Sequence, residues 1–108
     1  MIPSQMLKGI IEGCVLAALS QSELYGYELS EKLKTYGFGK IAEGTIYPLL
    51  LRLEKNGYIT SQIRESSVGP KRKYYYITEK GKEELLSFQN NFYELSKAVY
   101  NLLEEVKE

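Results

Sequence analysis

The chain has 108 residues, 44% hydrophobic and 26% charged, with 14 basic and 14 acidic side chains and a formal net charge of zero. That length predicts one domain with a small core, to which a second subunit would add usefully. Histidine and aspartate are absent and Cys14 is the single cysteine. This excludes a Cys/His zinc site built by one chain, an intrachain disulfide and histidine general-base catalysis.

The first predicted helix covers residues 4–19, where Met6, Leu7, Ile10, Ile11, Cys14, Val15 and Ala18 follow helical spacing. Cys14 on that apolar face reads as a core thiol rather than a redox sensor. Gly9, Gly13 and Ala17 recur every fourth residue; the stripe is either chance or a groove for close approach of another helix. Lys8, Gly9, Glu12 and Gly13 interrupt any signal-type apolar segment, and no apolar run reaches the ~18 residues a membrane span needs. A cytosolic chain with no cofactor, metal or membrane contact is the expectation.

A second helix is predicted over residues 25–36, with Leu29, Leu33 and Tyr36 on one face and Gly37 and Gly39 ending it. A third covers residues 43–56, with a core stripe of Ile46, Leu49, Leu50 and Leu53. Pro48 is tolerated there near the first turn, and Gly57 takes the position after the helix end. Residues 58–65 and 73–77 are β-prone, and Ser66–Arg72 joins them as a hairpin loop. Tyr75 and Ile77 should face the core and Tyr74 and Tyr76 the other side. Thr78 is a good N-cap for a last helix reaching about Val106. Along it Leu85, Phe88, Phe92, Leu95, Val99, Leu102 and Val106 form a continuous heptad seam. One small domain cannot easily cover such a stripe, which predicts dimerisation through Leu85, Phe88, Phe92, Leu95, Val99 and Leu102.

Helix, glycine stop and hairpin with a cationic tip are the sequence form of a winged helix-turn-helix: mainly α, with a small β-hairpin and a long C-terminal dimerisation helix. Residues 1–82 would be the winged-helix part and 78–108 the dimerisation helix, in one compact unit. The neutral total hides an asymmetry: between Gln21 and Lys82 there are 11 basic and 7 acidic residues, a net of +4. Opposite the core stripe of the third helix lie Thr45, Tyr47, Pro48, Leu51, Arg52 and Lys55. Hydroxyls and a guanidinium can bond phosphates or base edges, and Pro48 and Leu51 can meet thymine methyls. Lys71, Arg72 and Lys73 follow one another at the hairpin tip, with Arg64 on the facing strand, and suit a polyanion. The three adjacent tyrosines Tyr74–Tyr76 read as packing before they read as a base-stacking platform.

With these residues in view, the chain resembles the PadR family of transcriptional regulators. The matching stretches are Tyr25-Gly26-Tyr27-Glu28-Leu29, Glu43-Gly44-Thr45-Ile46-Tyr47-Pro48-Leu49-Leu50, Arg52-Leu53-Glu54-Lys55-Asn56-Gly57-Tyr58-Ile59, Gly69-Pro70-Lys71-Arg72-Lys73-Tyr74-Tyr75 and Ile77-Thr78-Glu79-Lys80-Gly81. A short chain with one terminal helix is similar to the compact subfamily that includes multidrug-responsive members. The resemblance implies a homodimeric, sequence-specific repressor of an inverted-repeat operator, released by a small aromatic or lipophilic effector. DNA contacts would fall on Thr45, Tyr47, Pro48, Arg52, Lys71, Arg72 and Lys73. An effector would enter between the first and last helices, near Met6, Ile10, Val15, Phe88, Phe92 and Tyr93. There the chain departs from drug-binding members: it has no tryptophan, and Phe88, Phe92 and Tyr93 either replace the stacking pair or fill its space. A winged-helix interaction module or anti-repressor is the alternative. An enzyme is not expected, because no triad or carboxylate pair is recognisable.

Overall fold

The computed structural model describes residues 2–65 and 68–107. Its elements run α1 (Ser4–Leu7), α2 (Ile11–Gln21), β1 (Leu24–Tyr25), α3 (Gly26–Leu33), α4 (Glu43–Lys55), β2 (Ile59–Arg64), β3 (Arg72–Ile77) and α5 (Glu79–Leu103). Residues Ser66 and Ser67 of the expected hairpin loop, and termini Met1 and Glu108, lie outside the described residues.

The core is one cluster. Val15, Leu16 and Leu19 of α2, Leu29 and Leu33 of α3, Ile46, Leu49, Leu50 and Leu53 of α4, Ile59 of β2 and Tyr75 of β3 are buried together. Helix α4 ends as its sequence demands: Gly57 adopts φ 81, its N–H bonds to Glu54 O and that of Tyr58 to Leu53 O, both at 3.0 Å. Thr78 caps α5, its Oγ1 accepting from Gly81 N at 3.0 Å. Tyr75 is buried and Ile77 packs beside it, while Tyr74 and Tyr76 take the outer face, as the strand alternation predicts.

Four expectations are corrected. The first predicted helix is two: Lys8 leaves helical dihedrals and Gly9 turns at φ 88, a conformation that favours glycine. The second helix gives way after Leu33 to a wider turn over Lys34–Phe38, with Gly37 at φ 103, so Tyr36 is exposed rather than core. Pro48 is the sixth residue of α4, past the first turn. It removes the bond to the Gly44 carbonyl, yet the helix continues through it. The sheet has three strands, in the order β1-β3-β2, because Leu24 and Tyr25 pair antiparallel with Tyr75 and Tyr74. Two residues are too few to leave a periodic signature in the sequence.

The Cα radius of gyration is 15.8 Å, against about 13 Å for a compact chain of this length. The excess comes from α5, whose 25 residues run on past the core. Gly13 of α2 faces Phe88 of α5 so closely that a Cβ at position 13 would overlap the ring. The small residue does permit a close helix approach, and the approaching helix belongs to the same chain.

Candidate nucleic-acid interface

Helix α4 shows the core only one side. Ile46, Leu49, Leu50 and Leu53 are buried, so helical spacing puts Gly44, Pro48, Leu51 and Lys55 on the opposite crest. All four are exposed, Leu51 at 66%. Proline at position 48 also leaves the Gly44 carbonyl on that crest without its helical donor.

The two flanks of α4 are braced. On one, Arg52 Nε and Nη2 donate to Glu12 Oε1 at 3.1 and 3.0 Å, tying α4 to α2. Thr45 lies on the same flank, exposed. On the other, the Tyr47 ring lies against Gly26 at the start of α3, where a Cβ would come within 2.8 Å of it. Glu54 accepts from the Ser61 hydroxyl of β2 and pairs with Lys73 of β3 at 3.4 Å. Partly exposed pairs of this kind each contribute roughly 0–1 kcal/mol, so they fix direction more than stability. Of the predicted helix residues, Pro48 is on the crest, Thr45 and Arg52 on the α2 flank, and Tyr47 on the wing flank.

The three basic wing residues do not form one cluster, which corrects the expected cationic tip. Strand β3 begins at Arg72, so only Lys71 lies in the loop; its Nζ is 3.6 Å from Glu65. The pleat then sends its neighbours to opposite faces. Arg72 stands 4.5 Å over the Tyr25 ring on the outer face, and Lys73 turns inward to Glu54. Arg64 binds Tyr76 and Glu23 on the outer face. The Tyr76 hydroxyl, then Glu23, hold the Arg64 guanidinium above its ordinary pKa. The Glu23 carboxyl is held below the usual carboxylate range, first by its own backbone N–H and then by Arg64.

Glu12, Glu54 and Gly26 were not singled out by sequence reasoning. The pairing of Glu12 with Arg52 spans 40 positions and has no local signal. Gly26, lying between two tyrosines, was the one visible hint.

The effector residues divide. Val15 is 0% exposed inside the core and cannot line a pocket, which corrects that assignment. Met6 and Tyr93 are exposed, and Phe88 stacks on Phe92 with centroids 5.8 Å apart. A cleft of about 830 Å3 opens elsewhere, between the N-terminal segment and α4, with Thr45, Pro48 and Arg52 on its wall. The seam residues divide too. Leu85 packs in part on the chain's own core and Phe88 on Gly13. Beyond them Phe92, Leu95, Val99 and Leu102 are 41%, 53%, 45% and 70% exposed. Among the described residues there is no His/Cys/Asp/Glu group that could hold a metal ion, and no helix long and apolar enough to cross a membrane.

Comparison with known proteins gives the family. The family described as transcriptional regulator PadR-like matches residues 15–87. A crystal structure of a PadR-like transcriptional regulator from Bacillus cereus is 53% identical, covering 95% of this chain and 100% of that one, with a TM-score of 0.85. A Streptococcus transcriptional regulator is 45% identical over 93% of this chain and 98% of its own, with a TM-score of 0.81. A transcriptional regulator of Mycobacterium tuberculosis is 31% identical over 85 residues, 79% of this chain and 78% of that protein. The braced helix, the three-stranded wing and these likenesses together make the chain a member of the PadR-like family of transcriptional regulators, with the winged-helix fold of that family.

Proposed function

We propose that the protein is a homodimeric repressor that reads an inverted-repeat operator through α4. The observation that carries this reading is the crest of α4: Gly44, Pro48, Leu51 and Lys55 are exposed on a helix fastened along both flanks. A helix held that way presents its crest to a major groove with its backbone already in place. Pro48 would contact base edges, with Thr45 and Tyr47 at the margins. Arg52 would contact phosphate after exchanging Glu12 for it. Lys71 would meet the flanking backbone, with Arg72 and Lys73 contributing to the local field. Leu51 and Lys55 join this set.

The exposed run from Phe92 to Leu102 supports pairing of two α5 helices. Two α4 helices would then occupy successive major grooves, with half-site centres about 10 bp apart. An effector held near Met6, Ile10, Phe88, Phe92 and Tyr93 would release DNA if it bound better to a dimer whose α4 helices are wrongly spaced.

The test is selection from a random-sequence duplex pool, followed by fluorescence anisotropy of the selected DNA against scrambled DNA across a salt series. Tight, selective and salt-steep binding is expected, since phosphate contacts release counterions. Arg52→Ala combined with Lys73→Ala should abolish selective binding and leave the dimer intact. Weak binding equal for both DNAs refutes the operator reading. A double variant that binds as well as the parent refutes the placement of the face.

A further inference from the structure

The outer face of the sheet carries a set of contacts centred on Arg64, a residue to which this reading of DNA binding gives no part. In register, Arg72, Tyr74 and Tyr76 of β3 stand beside Arg64, Gln62 and Thr60 of β2. Tyr25 of β1 pairs with Tyr74 along the other edge of β3. Arg64 is the centre. Its Nε and Nη2 both donate to the Tyr76 hydroxyl, at 3.1 and 2.6 Å. The same Nη2 donates to Glu23 Oε1 at 3.1 Å, and the guanidinium carbon stands 4.2 Å over the Tyr74 ring. The Tyr76 hydroxyl donates in turn to Gln62 Oε1 at 3.2 Å. Further along, Tyr25 meets Tyr74 edge-on with centroids 5.4 Å apart, and Arg72 covers the Tyr25 ring.

This arrangement bears on how the wing is held. A two-stranded hairpin is marginal alone, and β1 adds only Leu24 and Tyr25 to it. Ile59 and Tyr75 seat the base of the wing in the core, and Glu54 ties Ser61 and Lys73 to α4. On the outer face Arg64 adds a further tie. One planar fork reaches β2's own neighbour Tyr76 on β3 and, through Glu23, the segment that enters α3. The backbone N–H of Tyr25, at the start of α3, donates to Glu28 Oε1 at 3.2 Å, which joins that segment to the helix. The fork is turned to these partners and its charge is offset by Glu23.

We infer that Arg64 is a positioning residue: it sets the angle of the wing against α4 through Tyr76, Tyr74 and Glu23, and does not neutralise a phosphate. The inference rests on the DNA-binding reading above. Its consequence is a specific relation between charge, affinity and salt. Arg64→Lys keeps the charge and loses the fork. Arg64→Gln loses both. Tyr76→Phe removes only a hydroxyl.

Measured by anisotropy on the selected duplex, all three should weaken binding by a similar factor, about five- to tenfold. Tenfold corresponds to a wing in its competent position about a tenth of the time. The slope of log affinity against log salt should match that of the parent. A phosphate ligand would behave otherwise: Arg64→Lys near the parent, Tyr76→Phe unchanged, and Arg64→Gln with a slope smaller by about 1. That pattern, or unchanged affinity in all three, overturns the inference. Amide hydrogen exchange on the protein alone gives a second measurement. Residues 60–64 and 72–76 should exchange faster in Arg64→Lys and Tyr76→Phe, with α2 and α5 unaltered, and protection equal to the parent overturns the inference without DNA. A parent protein that selects no duplex sinks the DNA-binding reading instead, and exchange alone then decides whether Arg64 holds the wing.

Discussion

Gly13→Ala tests the packing of α5 on the winged-helix body. A Cβ at position 13 would overlap Cγ, Cδ1 and Cδ2 of Phe88 at once. Carbon atoms settle at about 3.5–4.0 Å, so the ring must retreat by on the order of 1 Å. Overpacking of this kind costs about 1–3 kcal/mol, and the better helix propensity of alanine offsets about 0.5–1 of it. The net expectation is a loss of about 1–2 kcal/mol. With Phe88→Ala in the background the ring is gone, and Gly13→Ala should instead stabilise by about 0.5–1 kcal/mol. The coupling between the two sites is then about 1.5–3 kcal/mol, large for a pair of apolar substitutions. Urea titrations of the four proteins at one fixed concentration measure it, because subunit association would shift the apparent stability otherwise. The same loss in both backgrounds would refute the reasoning, since Phe88 could not then be its source.

Gly81→Ala should cost more, about 3 kcal/mol, because its Cβ would run into the Tyr58 carbonyl, a backbone group that also accepts from Thr78 N; a loss under about 1 kcal/mol in the same titration counts against that contact. Phe92→Glu should convert a dimer to monomers in sedimentation velocity, and an unchanged profile counts against the exposed seam as the interface. Burial raises the Cys14 thiol above its ordinary pKa, so at pH 8 it should react with an aromatic disulfide reagent more slowly than free cysteine. A rate matching free cysteine refutes that placement. The Glu23 carboxyl is lowered in the folded protein, so its contribution is present above the ordinary carboxylate range and is lost as pH falls through the lowered value. The stability difference between the parent and Glu23→Gln should therefore be constant near neutrality and vanish in acid, and a difference that persists in acid refutes it.

The residues that made the fold legible act locally. Ile46, Leu49, Leu50 and Leu53 announce a helix by their spacing, Gly57 its end and Thr78 the next beginning, because each works through dihedrals and hydrogen bonds within a few residues. The exposed face of α4 followed by subtraction from the same spacing. Tyr75 facing in and Tyr74 and Tyr76 facing out followed from strand alternation alone. The break at Gly9 was missed because the apolar pattern continues across it and only the backbone changes.

Which charge meets which was not legible, and it decides what each cation does. Lys71, Arg72 and Lys73 are neighbours in sequence, yet the pleat sends one toward Glu54, stacks one on Tyr25 and leaves one in the loop. Arg52 finds Glu12, and Arg64 finds Glu23, 41 positions away. Val15 falls into the core, and Leu85 and Phe88 of the seam also pack on their own chain. Spacing along one element tells which side chains share a face, and this chain carries that information in its own periodicities. What lies opposite the face depends on how separate elements cross. Only the packing of α2, α4, the wing and α5 around one core could supply that.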